Sequence, residues 1–159
     1  TNLGQGEYKQ GNLATAIDYY QQSLVISREF GDRSLLVMNL SGLGNVELVQ
    51  SNLTAATEWF QQALALSHAI DSTVDTLEAL VGLARLRVRT KAEVFAAELA
   101  GLIEQHPALG EEVRAGELAM LKQELEAVLS ADELAAALER GKALDMDAVV
   151  QKLLAENLT

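Results

Sequence analysis

The stretch LGQGEYKQGNLATAIDYYQQSLVISREF, residues 3–30, returns as LGNVELVQSNLTAATEWFQQALALSHAI, residues 43–70. The matched positions share size and chemistry, and they are Leu3/Leu43, Gly4/Gly44, Asn12/Asn52, Leu13/Leu53, Ala16/Ala56, Tyr20/Phe60, Gln21/Gln61, Gln22/Gln62, Leu24/Leu64 and Ile26/Leu66. Self-similarity at a fixed step of this length is typical of helical repeat arrays. The chain is therefore predicted to be built from one recurring structural unit.

Each unit is predicted to be a helical hairpin. Its apolar residues recur at three- and four-residue intervals, as in Leu13, Ala16, Ile17, Tyr20 and Leu24, which is the spacing of one helix face. The two helices of a unit are joined by the turn residues Gly11-Asn12 or Ser51-Asn52.

The composition agrees with an all-α protein. Of the 159 residues, 49% are hydrophobic but only 4% are aromatic, and there is a single proline. Alanine and leucine dominate the apolar residues, and both favour helices over strands. Because cysteine is absent, neither disulfide bonds nor thiolate metal sites can form.

A third unit follows but has drifted from the pattern. Leu83-Ala84 stands where Leu43-Gly44 stood, the turn is Thr90-Lys91, and no aromatic residue takes the place of Phe60. Terminal repeats drift because one of their faces meets water or a cap instead of a neighbouring repeat. The array is therefore expected to end near His106-Pro107.

Three further helices are predicted beyond Pro107, over about 110–129, 131–139 and 146–157. Ser130 and Glu133 form a capping-box pattern, Gly141 is expected to close the middle helix, and Asp145 to open the last one. Two apolar stripes could fold back onto the end of the array, namely Leu118, Leu121, Leu125 and Leu129, and Val149, Leu153 and Leu154.

The run NLGQGEYKQGNLATAIDYYQQSL resembles a tetratricopeptide repeat. Leu3-Gly4 matches the family's Leu-Gly pair, Ala16 and Ser23 its small positions, and Tyr20 its large aromatic; the second unit matches at Leu43, Gly44, Ala56, Phe60 and Ala63. The step of 40 is longer than the usual 34 of the family, and the connection Phe30-Gly31-Asp32-Arg33 takes part of the excess. The resemblance implies a right-handed α-solenoid.

The predicted organisation thus has two parts. Repeats of about 1–30, 31–70 and 71–107 form an array over 1–107 whose first hairpin is truncated, and 108–159 form a helical cap. The stretch 97–154, with Arg140-Gly141 before Lys142-Ala143-Leu144, is similar to the C-terminus of large bacterial regulators. In those proteins a STAND-class ATPase precedes such repeats, often with a LuxR- or AfsR-type DNA-binding domain.

The resemblance also implies a binding groove, because the first helix of each tetratricopeptide hairpin lines the concave face. Its register places these candidate partner-binding residues there: Gln5, Tyr8, Lys9, Met38, Ser41, Asn45, Val49, Arg85 and Arg89. Arg85 and Arg89 lie four residues apart on one helix face, so an acidic or C-terminal peptide is a conceivable ligand. The alternative is a solvated face whose arginines pair with nearby acids.

Other functions find little support in the sequence. A net charge of −11 opposes binding to phosphate backbones, and no apolar run is long enough for a membrane span. His68 and His106 lack metal-ligand spacing, and the glycines lack the pattern of a nucleotide-binding loop. We expect no catalytic residues, cofactor or metal, and no direct contact with nucleic acid.

The expected function is a cytoplasmic, non-enzymatic scaffold for a protein, a peptide or a small inducer, serving as the sensor arm of a bacterial regulator. Two alternatives stay open. The chain could be a stand-alone adaptor that holds peptides through Arg85, Arg89 and Asn45. It could also be an oligomerisation element, since an apolar end around Leu3, Tyr8 and Leu13 could pair with a second copy.

Overall fold

The computed structural model describes residues 2–156, and within that range the protein is helical without strands. The all-α helical-repeat class predicted from the sequence is thereby confirmed. The helices are α1 (Asn2–Lys9), α2 (Leu13–Phe30), α3 (Arg33–Val49), α4 (Leu53–Ala69), α5 (Thr73–Arg89), α6 (Glu93–Glu104), α7 (Glu111–Val113), α8 (Ala119–Glu126), α9 (Ala131–Lys142) and α10 (Met146–Ala155), with a π-helical turn over Arg114–Leu118.

The chain forms two compact units, and the boundary falls inside α5, between Ala79 and Leu80. The first unit contains α1 to α4 and the beginning of α5. In it, α1 packs on α2, α2 on α3 and α3 on α4, so each helix contacts its neighbour in the sequence. The second unit contains the rest of α5 and all later helices.

The connections between the repeat helices share one backbone device. A residue in the left-handed conformation recurs at a constant spacing, at Gly11, Gly31, Ser51, Asp71 and Lys91, with φ of 81°, 69°, 64°, 54° and 61°. Glycine adopts this conformation at no steric cost, and other residues adopt it where the surrounding structure requires it. These residues are spaced by half of the repeat step, and each lies just after the end of a helix. Two of them, Gly11 and Ser51, belong to the turns predicted from the sequence.

Aromatic rings packed against glycine backbone hold the first unit together. The ring of Tyr20 lies between α1 and α3, because a Cβ atom added at Gly4 would lie 2.9 Å from it and one added at Gly42 would overlap it. Phe60 packs in the same way against Gly44, at 2.7 Å from the added Cβ. Both rings are buried, so the glycines act as the sites of close helix approach.

Repeated polar contacts accompany these rings. Asn12 Nδ2 donates to Glu7 Oε2 at 2.7 Å, and Asn52 Nδ2 donates to Glu47 Oε2 at 2.8 Å, so the matched asparagines fasten each turn to the preceding helix. In the buried interface between α2 and α3, Asn39 donates to Ser23 Oγ at 2.9 Å. A buried polar group with its partner in place specifies the packing of the two helices.

In the second unit, α6 and α9 pack on each other at very close range. The positions of two glycines explain this: a Cβ at Gly101 would overlap the Leu138 carbonyl, and a Cβ at Gly141 would overlap the Glu98 carbonyl. The expectation that Gly141 closes α9 was therefore wrong. The helix ends at Lys142, and Ala143 is its C-cap. Gly141 lies inside the helix, at the point of close packing.

Two predictions of helix N-terminal caps in this region are confirmed. Ser130 accepts from the Glu133 backbone N–H while the Glu133 side chain accepts from the Ser130 backbone, which confirms the capping box. Asp145 caps α10 by accepting from the Ala148 N–H at 2.8 Å. The helix expected over about 110–129 is shorter and is interrupted: it spans α7, the π-helical turn and α8, and it ends at Glu126. The predicted end of the last helix, at position 157, lies outside the described residues.

Replacing Gly44 by alanine is expected to lower the free energy of unfolding by about 1–3 kcal/mol, because the new methyl group overpacks against the buried Phe60 ring. Urea unfolding measures the change. Gly6→Ala is the control, since a Cβ there meets no atom within 4 Å, and it should stabilise α1 by up to about 1 kcal/mol. The double variant Gly44→Ala/Phe60→Leu should lose less than the sum of its single variants. Simple additivity would contradict the ring-on-glycine account.

Candidate partner-binding surfaces

Helix α3 is covered on most of its circumference but keeps one stripe open. Nine of its residues are buried: Val37, Asn39, Leu40, Ser41, Gly42, Leu43, Gly44, Val46 and Leu48. Met38 and Val49 nevertheless expose 43% and 47% of their surface, and Asn45 is half-buried between them. The spacing of Met38, Asn45 and Val49 places them on one face of the helix, and this face is partly accessible to solvent.

Ser41 lies on this stripe but deeper than its neighbours. It is 8% exposed, and its Oγ is buried without a hydrogen-bond partner. A buried hydroxyl that makes no hydrogen bond carries a desolvation penalty. Ser41 is therefore much less accessible than Met38 on the same helix.

Helix α1 contributes the other predicted residues of the first unit and contacts α3 directly. Gln5 and Tyr8 are half-buried, and Lys9 is exposed at the end of the helix. Seven of the nine candidate residues thus lie on two touching helices of one unit. We name this set the α1–α3 stripe: Gln5, Tyr8, Lys9, Met38, Ser41, Asn45 and Val49.

The remaining candidates, Arg85 and Arg89, belong to the second unit, and their environments differ. Arg89 is exposed, whereas Arg85 is only 5% exposed. Both Nε and Nη2 of Arg85 donate to Glu124 Oε1 of α8, at 3.2 and 2.9 Å. The surface predicted for the two arginines is therefore not open at Arg85, because the Glu124 carboxylate is paired with its guanidinium.

The same pattern extends along α5 and α6. Arg87 of α5 pairs with Glu156, which follows α10. On α6 the signs are reversed: Glu98 accepts from Arg140 of α9 at 2.8 Å, and Glu104 accepts from Lys122 of α8 at 2.7 Å. Arginines of α5 and acids of α6 thus meet opposite charges from the C-terminal helices, and these partners could not be found from sequence spacing.

Two titratable side chains of α9 have shifted pKa values. Hydrogen bonds from the Ser130 side chain and backbone lower the pKa of Glu133, and Glu139 raises the pKa of Lys142. Both groups are exposed at the ends of α9, whereas a catalytic acid or base is usually partly desolvated. His106 has a local task, because its Nδ1 accepts from the Ala108 N–H at 3.2 Å in the turn after α6.

Residues 2–156 contain neither a cluster of metal-ligand side chains nor a membrane-length apolar helix. No three histidine or carboxylate side chains there are grouped so that they could hold a metal ion. In the same range, none of the helices has both the length and the apolar character needed to cross a bilayer.

Neighbouring helices packed in pairs and left-handed residues at a constant spacing are features of a helical-repeat protein. Residues 1–66 match the family model described as Tetratricopeptide repeat, which supports a tetratricopeptide-repeat relationship for that part of the chain. Neither a curated protein nor a solved structure matches the sequence. Tetratricopeptide repeats are non-catalytic scaffolds that generally mediate protein–protein interactions.

Replacing Arg85 by methionine is expected to lower the free energy of unfolding by about 1–3 kcal/mol, because Glu124 loses its partner in a partly buried site. Arg89→Met is the matched control, and its effect should stay within about 0.5 kcal/mol, as at exposed sites in general. Chemical denaturation of both variants measures the difference. Equal effects would show that the Arg85 pair contributes no more than an exposed side chain.

Proposed function

We propose that the α1–α3 stripe binds a peptide segment of a partner protein. The observation that supports this most directly is the exposure of Met38 and Val49 on a helix whose other hydrophobic residues are buried or half-buried. Apolar residues exposed beside polar groups are typical of recognition surfaces. The binding surface is non-catalytic and belongs to the scaffold function of the repeats.

The chemistry of the stripe favours a particular kind of ligand. Amide side chains at Gln5 and Asn45 can both donate and accept, so they suit the main-chain groups of a bound peptide. Met38 and Val49 offer apolar contact, and methionine adapts to ligands of different shapes. Lys9 adds one positive charge at the end of α1. The preferred ligand therefore carries an apolar side chain and a carboxylate on an extended or helical backbone.

In the wider setting, we place the chain in a cytoplasmic bacterial regulator, as its C-terminal sensor arm. The supporting feature is the likeness of the stretch 97–154 to the ends of STAND-class ATPases and LuxR- or AfsR-type regulators. In this proposal, binding of a partner protein or a small inducer to the repeats is transmitted to an ATPase domain, which responds by assembly. A stand-alone adaptor would bind the same peptides without such an output.

The stripe is tested by a matched pair of valines in the first unit. Val49 and Val25 are exposed to similar extents, 47% and 55%, but Val25 lies on α2, outside the stripe. A peptide selected from a random display library should bind Val49→Glu at least about tenfold more weakly than the wild type, because the charge replaces an apolar contact. Isothermal titration measures the affinity. Val25→Glu should bind as the wild type does, and equal weakening by both substitutions would contradict the assignment.

The regulator setting is tested separately on the complete gene product. Its reading frame is expected to encode an ATPase with a P-loop motif upstream of the repeats, and ATP turnover or assembly should change when the selected peptide is added. Val49→Glu in the full-length protein should abolish that response while leaving basal turnover unchanged. A reading frame without an ATPase or DNA-binding domain would refute the sensor-arm setting and favour the adaptor.

A further inference from the structure

Helix α9 is attached to the second unit by one narrow side. Only Leu134, Ala137 and Gly141 are buried, at the three- and four-residue spacing of one helix face, and the rest of α9 is exposed or half-buried. It packs mainly on α6, which lies far earlier in the chain, and makes only slight contact with α8, the helix before it. The position of α9 is therefore decided by the surface of α6.

That surface of α6 accepts a particular kind of helix. A Cβ atom added at Gly141 would lie 2.0 Å from the Glu98 carbonyl oxygen, and one added at Gly101 would lie 2.1 Å from the Leu138 carbonyl oxygen. Neither position has room for a side chain. We name the surface of α6 around Glu98 and Gly101 the α6 seat. A helix can fill it only if it carries glycine where α9 carries Gly141.

The α9 segment has its own signals for helix formation. The capping box of Ser130 and Glu133 satisfies backbone groups of the first turn. Alanine, the strongest helix former, takes four of its twelve positions. Arg140 and Lys142 lie in the last turn, where positive charge interacts favourably with the helix dipole. These features lower the cost of keeping the segment helical when it leaves the α6 seat.

The connection before α9 is suited to act as a hinge. Residues 127–130 join α8 to α9 outside both helices, and Val128 exposes 51% of its surface. Exposed connections with few packing contacts open at low cost. In contrast, α8 is held in the core by the fully buried Leu121 and Leu125. Exchange therefore involves only the arm after the hinge, residues 130–155.

The last helix of this arm also belongs with α6. Lys152 Nζ of α10 lies 4.7 Å from the centre of the Phe95 ring of α6, a distance at which a cation and an aromatic face attract each other. Helices α9 and α10 thus contact the same earlier helix. They can transfer together to an equivalent α6.

We propose that α9 is an exchangeable helix, and that the α6 seat of one copy receives α9 from a second copy of this chain. The second copy meets the requirements of the seat, because its α9 carries glycine at the crossing point and Arg140 for the pair with Glu98. Each copy gives one arm and receives one, so the exchange closes into a two-fold dimer. This inference does not depend on the α1–α3 stripe or on a peptide ligand.

The balance between the two states depends on the hinge and on the protein concentration. The arm makes the same contacts in the closed monomer and in the exchanged dimer. A tethered helix competes from within at an effective concentration of about 1 mM. The closed monomer therefore prevails in dilute solution, and gathering of copies at high local concentration favours the dimer.

Two ion pairs with acids of α6 give a matched test. After the hinge, Arg140 of α9 pairs with Glu98 at 2.8 Å. Before it, Lys122 of α8 pairs with Glu104 at 2.7 Å. Whole chains carrying Glu98→Arg or Arg140→Glu are mixed at about 1 mM, and native mass spectrometry counts the heterodimers. Only reciprocal exchange sets opposite charges at positions 98 and 140 in both seats, so heterodimers should exceed homodimers about tenfold.

The control is a mixture of Glu104→Arg and Lys122→Glu chains. Because α8 precedes the hinge and stays with its own chain, this mixture should remain monomeric. The double variant Glu98→Arg/Arg140→Glu restores the pair within one chain and should dimerise no more than the wild type. Equal heterodimer formation in the two mixtures would indicate general charge attraction, and its absence from the first mixture would refute the exchange.

Crosslinking supplies a second measurement if a reversed charge unfolds the chain. The sequence contains no cysteine, so one chain receives Glu98→Cys and the other Arg140→Cys. A short bifunctional maleimide should join these two chains, because exchange brings the two positions together. It should not join chains that carry Glu104→Cys and Lys122→Cys. Failure to link positions 98 and 140 between chains would also refute the proposal.

Discussion

Van der Waals contact between an aromatic ring and the backbone of a glycine sets the distance between the helices of the first unit. Tyr20 touches Gly4 within its own hairpin and Gly42 in the next, so a single ring joins two repeats. The third hairpin differs at both positions: Ala100 stands where Tyr20 and Phe60 stand, and Ala84 replaces the glycine.

Backbone turns supply the second regularity. Left-handed residues at a constant spacing stop successive helices at matching places, so equivalent side chains return to equivalent positions. The α1–α3 stripe is a product of this register. Residues needed for packing occupy the covered faces of α3, which leaves Met38 and Val49 exposed and accessible to a ligand. In the second unit the constraint is electrostatic as well as steric: arginines and acids of α5 and α6 meet opposite charges from the C-terminal helices.

Sequence patterns predicted the parts of this structure that depend on local chemistry. Several features were predictable because each depends on residues within a few positions of one another. They are the hairpins, the turns at Gly11 and Ser51, the capping box at Ser130 and the cap at Asp145. The helical period also predicted that Met38, Asn45 and Val49 share one face of α3. The prediction for Gly141 was wrong for the converse reason: its role depends on the Glu98 carbonyl, which belongs to a different helix far earlier in the sequence.

The sequence by itself determined the class of fold and the repeat register, because periodicity and turn chemistry depend on residues that are close together in the chain. Only the tertiary structure decided what happens to the individual charges. Arg85 and Arg89 look alike in sequence, four residues apart on one helix face, yet α8 brings Glu124 to the first of them and the second is exposed. Burial and partnership arise from residues distant in the chain, and they give the two arginines different environments.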